Sequence, residues 1–186
     1  MAKGKKYEQI LDALERLLPG KRFHEITLDE VAREARVGKG TIYLYFKDKD
    51  ALFAEMVCYR MERLKQQLAQ LENCTLETLP EKVFALVDDF IKKHRSGFGA
   101  GSAFASQVSR MTGEQYEQLK QAGAGVVDAL AQVMQSAGWS RQEANERSQM
   151  LLWLIDGYAR NVLNDAISVP PPEVMLAFFR RGCGMV

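Results

Sequence analysis

Proline is missing from residues 20–79 and again from 81–169; the chain's prolines sit at 19, 80 and 170–172. A proline inside a helix removes a hydrogen bond and clashes with the preceding turn at a cost of about 3 kcal/mol, so its confinement to junctions is the habit of a helical chain. Strand signals are scarce as well, since no segment alternates apolar and polar residues with enough Val, Ile or Thr. No apolar run nears the roughly 20 residues needed to cross a bilayer. Met1 to Lys6 leads into an amphipathic segment rather than a signal-peptide core, so neither a membrane span nor secretion is expected. The three cysteines, Cys58, Cys74 and Cys183, are odd in number and far apart, without a CxxC or Cys/His cluster. That excludes a disulfide framework and a zinc site, and makes a reducing cytoplasm the default. Only two histidines are present, and no nucleophile–base pair, HExxH, phosphate loop or Glu-x-x-His pair appears. No enzyme, metal or cofactor is expected. Charge of one sign is lacking too: 25 Lys and Arg stand against 24 Asp and Glu, a net +1, so bulk composition announces no polyanion binder.

What is present is Leu- and Ala-rich helix at 47% apolar composition. The 186 residues make a little over one domain at about 150 residues each. A first helix is expected from Lys5 to Leu18, where Pro19-Gly20 stops it, and a second from Thr27 to Ala35. Thr27-Leu28-Asp29-Glu30 reads as a capping box for the second. A third helix is expected from Lys39 to Phe46, and a long fourth one from Asp48 to Leu71. Five more follow: Pro80 to His94, Ala103 to Met111, Thr112 or Gly113 to Ala137, Ser140 to Ile167, and Glu173 to Arg181. The glycine-bearing stretch Ser96 to Ser102 reads as an irregular joint. The fold class is all-α with about nine helices. Residues 1–48 form an N-terminal helix-turn-helix module, joined by the long helix to a C-terminal bundle within 49–186.

Thr27 to Phe46 has the dimensions of a helix-turn-helix: two short helices and a tight turn. Leu28, Val31, Ala32, Ala35, Val37 and Ile42, with Phe23, Ile26 and Phe46, write its inward face. The second helix is left with Lys39, Thr41, Tyr43 and Tyr45 outward and Gly40 among them: a cation, hydroxyls for phosphates or base edges, and a residue that lets the backbone approach. From Arg36 to Lys49 four basic residues face Asp48 alone, and Lys3, Lys5 and Lys6 add a basic start to the first helix. Such a local patch attracts phosphates even in a nearly neutral chain.

The runs Phe23-His24-Glu25-Ile26-Thr27-Leu28-Asp29-Glu30-Val31-Ala32 and Val37-Gly38-Lys39-Gly40-Thr41-Ile42-Tyr43-Leu44-Tyr45-Phe46-Lys47-Asp48-Lys49-Asp50-Ala51-Leu52 resemble the DNA-binding signature of TetR-type transcriptional regulators. The resemblance covers about the first 55 residues; beyond them it extends to helix count, length and the last two helices. It implies a homodimeric repressor on a palindromic double-stranded operator, released by a small-molecule effector. Carried over residue by residue, it makes Lys39, Thr41, Tyr43 and Tyr45 groove and phosphate contacts, with Gly40 allowing the approach and Thr27, Arg36 and Lys49 at the backbone. Gly38 stands where many members have a Ser or Thr cap, so a phosphate contact from that side chain is absent. The competing reading of Tyr43 and Tyr45 is as core aromatics.

In the eighth helix Met150 to Ile155 are six consecutive apolar residues, continued by Tyr158, Val162, Leu163 and Ile167. A helix apolar around most of its girth needs burial on more than one side. Together with Val174, Met175, Phe178 and Phe179 of the last helix it suggests an isologous four-helix interface, with Leu151, Ile155, Tyr158, Val162, Val174 and Phe178 facing the partner copy. Candidate lining for a greasy or aromatic effector comes from Phe90, Phe104, Gln107, Met111, Met134, Trp153 and Asn161, each of which also reads as ordinary core or helix bridging. The rival readings are a carboxylate-bundle enzyme and an all-helical interaction module that reads no DNA.

Overall fold

The computed structural model describes residues 4–18, 21–71, 75, 77–98, 106–164 and 168–184; of these, 90–98, 159–160 and 162–164 are described by backbone alone. Among them the chain forms eight α-helices and one 3-10 turn, with no strand. The helices are α1 (Lys5–Leu17), α2 (Leu28–Glu34), α3 (Lys39–Tyr45), α4 (Lys49–Ala69), α5 (Leu79–Phe98), α6 (Gly113–Ser136), α7 (Arg141–Asn164) and α8 (Pro172–Gly182). The 3-10 turn, Phe23–Glu25, precedes α2.

Local chemistry explains most of the boundaries. Three helices open on the same Ser/Thr-x-x-Glu/Gln device, in which the first hydroxyl accepts from the N–H three residues on and the acid or amide there reaches back. Thr27 with Glu30 opens α2, Thr112 with Gln115 opens α6, and Ser140 with Glu143 opens α7. Asp48 accepts from the Ala51 N–H at 2.7 Å at the start of α4. Pro172, whose fixed φ suits a first helical residue, opens α8. After α6, Gly138 at φ 114° allows the reversal that brings the Trp139 N–H to the Met134 carbonyl at 3.2 Å.

Two boundaries differ from expectation. Helix α5 runs on to Phe98 rather than ending at His94. One interior glycine, Gly97, costs only about 1 kcal/mol relative to alanine, which several preceding turns carry. The helix expected over Ala103 to Met111 is described only from 106, as a single helical turn at 106–108. Ile167, the expected end of the eighth helix, lies outside the described residues.

The chain divides into two units, Met1–Arg60 with Lys93–Lys120, and Met61–Lys92 with Gln121–Val186. The sequence-based division at 48/49 falls inside the first of these units. Leu52, Phe53 and Met56, all on the first half of α4, are buried with the N-terminal helices. The first unit's core holds Tyr7, Ile10, Leu11 and Leu14 of α1 with Phe23, Ile26, Val31, Ile42 and Phe46. The second unit's core is built from Leu64 and Leu68 of α4, Leu79 and Val83 of α5, Val126, Leu130 and Met134 of α6, Leu151 and Ile155 of α7, and Phe179 of α8. Each such fully buried side chain contributes about 1.5–3 kcal/mol relative to exposure.

Candidate nucleic-acid interface

The first unit is braced so that α3 lies on its outside. The Thr27 hydroxyl accepts from the Glu30 N–H at 3.2 Å, and the Glu30 carboxylate accepts from the Thr27 N–H at 2.9 Å and from the Lys21 ammonium. Lys21, then Thr27, hold the Glu30 carboxyl down at about 2. Tyr7 of α1 donates to Glu55 of α4, and Arg60 of α4, itself buried, pairs with Glu15 of α1 at 3.2 Å. Arg110 reaches Asp50 in the first turn of α4 at 2.9 Å, tying the 106–110 segment to the end of the module.

Helix α2 ends in a left-handed residue. Arg36 has φ 55°, its N–H bonds the Arg33 carbonyl at 3.1 Å, and the Val37 N–H bonds the Ala32 carbonyl at 2.9 Å. That is the Schellman arrangement, in which glycine is the usual left-handed residue. Here the position keeps a long cationic side chain, exposed, at a backbone cost of about 1–2 kcal/mol.

Helix α3 turns Ile42 inward, with Phe46 just beyond it, and bares the rest. With 3.6 residues per turn, Lys39 and Tyr43 share one stripe, Gly40 and Leu44 an adjacent one, and Thr41 and Tyr45 the flank; Lys47 follows beyond the extended Phe46. Lys39, Gly40, Tyr43, Leu44, Tyr45 and Lys47 are exposed, and Thr41 is half-buried. The aromatics therefore do not join the core as a pair. Tyr43 is open, whereas Tyr45 leans on Tyr7, edge-on at 5.9 Å between ring centres, and Tyr7 in turn stacks on Phe46 at 5.2 Å.

The cations are not all loose. The Lys39 ammonium donates to Asp29 at 2.8 Å, a bond that raises its pKa and that a phosphate or guanine must replace. Lys49 lies 4.5 Å over the Phe23 ring, and its burial lowers its pKa. Thr27 is engaged in its capping box. Leu44, at 82% exposure, is the residue of this face that the sequence reading passed over. Its place one turn after Gly40 was the signal for it.

A Cβ added at Gly40 would meet nothing within 4 Å. The same holds at Gly113, Gly123, Gly157 and Gly182, so the chain's own packing does not call for glycine at this position.

The expected effector and dimer residues scatter. Met134 is fully buried in the second unit, where the Ser148 hydroxyl donates to its sulfur at 3.2 Å. In the first unit Met111 is half-buried, and Gln107 has a buried Oε1 with no hydrogen-bond partner among the described residues. Trp153 is 71% exposed and Asn161 is exposed, its amide donating to the Gly157 carbonyl at 2.8 Å. Both lie on the outer side of α7, apart from the core of the second unit. Leu151 and Ile155, at 0% and 1% exposure, belong to the chain's own core, which corrects their placing at a partner copy. Tyr158 is half-buried and packs its ring edge-on against Phe84 at 5.6 Å. Val174 and Phe178 of α8 are exposed, joined on α7 by Met150 and Trp153. Phe90, Phe104 and Val162 lie outside the described side chains. Among the described residues no helix is long and apolar enough to cross a membrane.

Residues 10–56 match the family model described as bacterial regulatory proteins, tetR family. The fatty acid metabolism regulator protein of Bacillus subtilis is 35% identical over 69 residues, which are 35% of this chain and 36% of that protein. The chain thus matches about a third of the length of this curated relative. Over nearly the whole chain the fold is that of solved regulators. A TetR transcriptional regulator from Rhodococcus sp. RHA1 superposes with a TM-score of 0.63 at 21% identity, covering 97% of this chain and 94% of that one. The transcriptional regulator FadR from Bacillus subtilis, solved in complex with stearoyl-CoA, superposes with a TM-score of 0.54 at 22% identity, covering 96% of each chain.

Proposed function

Because residues 10–56 match the family model of the tetR family of bacterial regulatory proteins, we propose that the protein is a cytoplasmic transcriptional regulator of that family that binds a palindromic operator as a homodimer. Repression is the expected output, and an apolar small molecule the expected release signal. The observation that carries the DNA-binding part is the outer face of α3, where Lys39, Gly40, Tyr43 and Leu44 stand uncovered beside Arg36 and Lys47. Cations there attract phosphates, and the short helix carries its donors and one apolar side chain toward base edges. Thr27 and Lys49, engaged within the module, set its shape and add charge rather than reach freely.

Pairing has its own support. Met150, Trp153 and Gly157 follow one another at i, i+3 and i+7 on the outer side of α7, and Val174 and Phe178 at i, i+4 on α8. A Cβ at Gly157 would meet nothing within 4 Å, which leaves room for a second helix. Two-fold pairing on this stripe presents two copies of α3, as a palindrome with half-sites about 34 Å apart requires.

For release, α4 is the connecting rod in this reading. It is one continuous helix whose residues enter both cores, Leu52 to Met56 in one and Leu64 to Leu68 in the other. An effector seated among the methionines and aromatics of the second unit, such as Met61, Phe84, Met134 and Met175, shifts α4 and with it the spread of the two reading heads.

The test is selection of bound duplexes from random DNA, followed by titration with variants. Tyr43→Ala and Lys39→Ala are expected to weaken the selected duplex by about tenfold or more each, with helicity and melting unchanged. Unchanged affinity at moderate salt removes the assignment. Screening acyl-CoAs and other apolar compounds for release of the bound duplex tests the effector; affinity constant across the panel rejects it.

A further inference from the structure

We infer that Leu44, set beside the bare backbone of Gly40, reads the C5-methyl group of a thymine in each operator half-site. The inference rests on the operator-binding reading above and adds to it a residue and a base.

A single exposed leucine ordinarily carries no message. This one stands apart on three counts. At 82% exposure it is the most exposed large hydrophobic side chain among the described residues. Its neighbour on the same stripe, one turn earlier, is Gly40 in the first turn of the helix, where an added side chain would meet nothing in the chain. Together they form a shelf with an apolar wall at Leu44 and a floor of bare backbone at Gly40. Finally, the cations that flank it along the chain, Arg36, Lys39 and Lys47, are exposed, Lys39 pairing with Asp29 at 2.8 Å.

The exposed cations of this segment decide what sits on the shelf. An apolar protein segment gains nothing from such a border, whereas a polyanion is held by it. Duplex DNA offers an apolar group in the major groove at one base, the C5-methyl of thymine. Bare backbone at Gly40 lets the base edge come close, and the Leu44 branch then covers the methyl. Lys39 and Tyr43, on the adjacent stripe, are left for polar edges and phosphates.

The experiment uses the full chain and its own selected duplex. Each thymine of the half-sites is replaced in turn by deoxyuridine, which removes the methyl and keeps the pairing, and affinity is read by fluorescence anisotropy. One position per half-site is expected to lose about fourfold, hence roughly fifteenfold when both half-sites are changed, the worth of one buried methyl apiece. In Leu44→Ala the same replacement is expected to change affinity by less than about 1.5-fold, because the group that covered the methyl is gone. Leu44 is exposed, so the variant's melting serves as the check that folding is intact. Gly40→Ala supplies a second arm: its Cβ has room within the chain, so stability holds or rises, while affinity for the duplex falls. A wild-type protein that selects a duplex yet ignores every methyl overturns this inference alone, as does methyl sensitivity that persists in full in Leu44→Ala. A protein that selects no duplex overturns it together with the operator reading.

Discussion

Among the described side chains of the first unit the exposed large ones gather on one seven-residue helix, Tyr43, Leu44 and Tyr45 of α3, with cations on either side; Tyr116 lies elsewhere. The second unit exposes Met150, Trp153, Val174 and Phe178 on two longer helices, with uncharged Gly157 and Asn161 continuing the α7 stripe. Both surfaces leave apolar area in water, but their borders differ. A cationic border suits a polyanion, whereas the α7–α8 stripe, with Asp156, Glu173 and Arg181 exposed beside it and thus charges of both signs, suits a second copy of itself. Exposed hydrophobic surface thus points to different partners according to the charge that frames it.

The largest effect should come from spoiling the second surface. Trp153→Asp with Phe178→Asp is expected to turn the dimer into monomers in sedimentation, and to cost the operator about 100-fold or more in affinity although no reading residue changes. If affinity holds, the stripe is not what pairs the reading heads. Next comes the contrast between the two sides of α7. Leu151→Ala deletes buried core and is expected to destabilise the second unit by about 3 kcal/mol in denaturant unfolding. Trp153→Ala should leave the monomer's stability within about 0.5 kcal/mol. Equal losses would mean that the two faces do not differ as the burial indicates.

In the first unit, Arg36→Gly removes a left-handed non-glycine residue. It is expected to raise stability by up to about 1 kcal/mol, because relief of backbone strain outweighs the freedom glycine adds to the unfolded chain. It should weaken the operator a few-fold through the lost charge, with a shallower dependence on salt. The smallest effect is that of Glu30. Its carboxyl, held at about 2 by Lys21 and Thr27, titrates below its unfolded value of 4.5. The stability it confers is present above pH 4.5 and disappears as pH falls toward 2. Melting of the wild type should accordingly drop more steeply across that window than melting of Glu30→Gln, and parallel curves would contradict the assignment.

The module was more legible in the sequence than the bundle because its signals are local. Thr27-x-x-Glu30 announces the start of α2, and apolar residues at Val31, Ile42 and Phe46 announce its inward side. Leu44 carries no donor, and what marks it is steric, an i, i+4 relation to a glycine. The left-handed turn was hidden because arginine occupies a place where glycine would have marked it. In the bundle, six consecutive apolar residues from Met150 to Ile155 erase the periodicity that tells inside from outside. Packing against α4, α5 and α6 then decides that Leu151 and Ile155 go in while Met150 and Trp153 stay out.

The account stands on paired copies of α3 lying in one duplex, and the most direct measurement is the stoichiometry of the wild-type protein on its selected operator against an isolated half-site, by analytical ultracentrifugation and titration. Two chains per full operator, with the half-site bound at least about 100-fold more weakly, is the predicted result. One chain binding the half-site as tightly as the whole would contradict it.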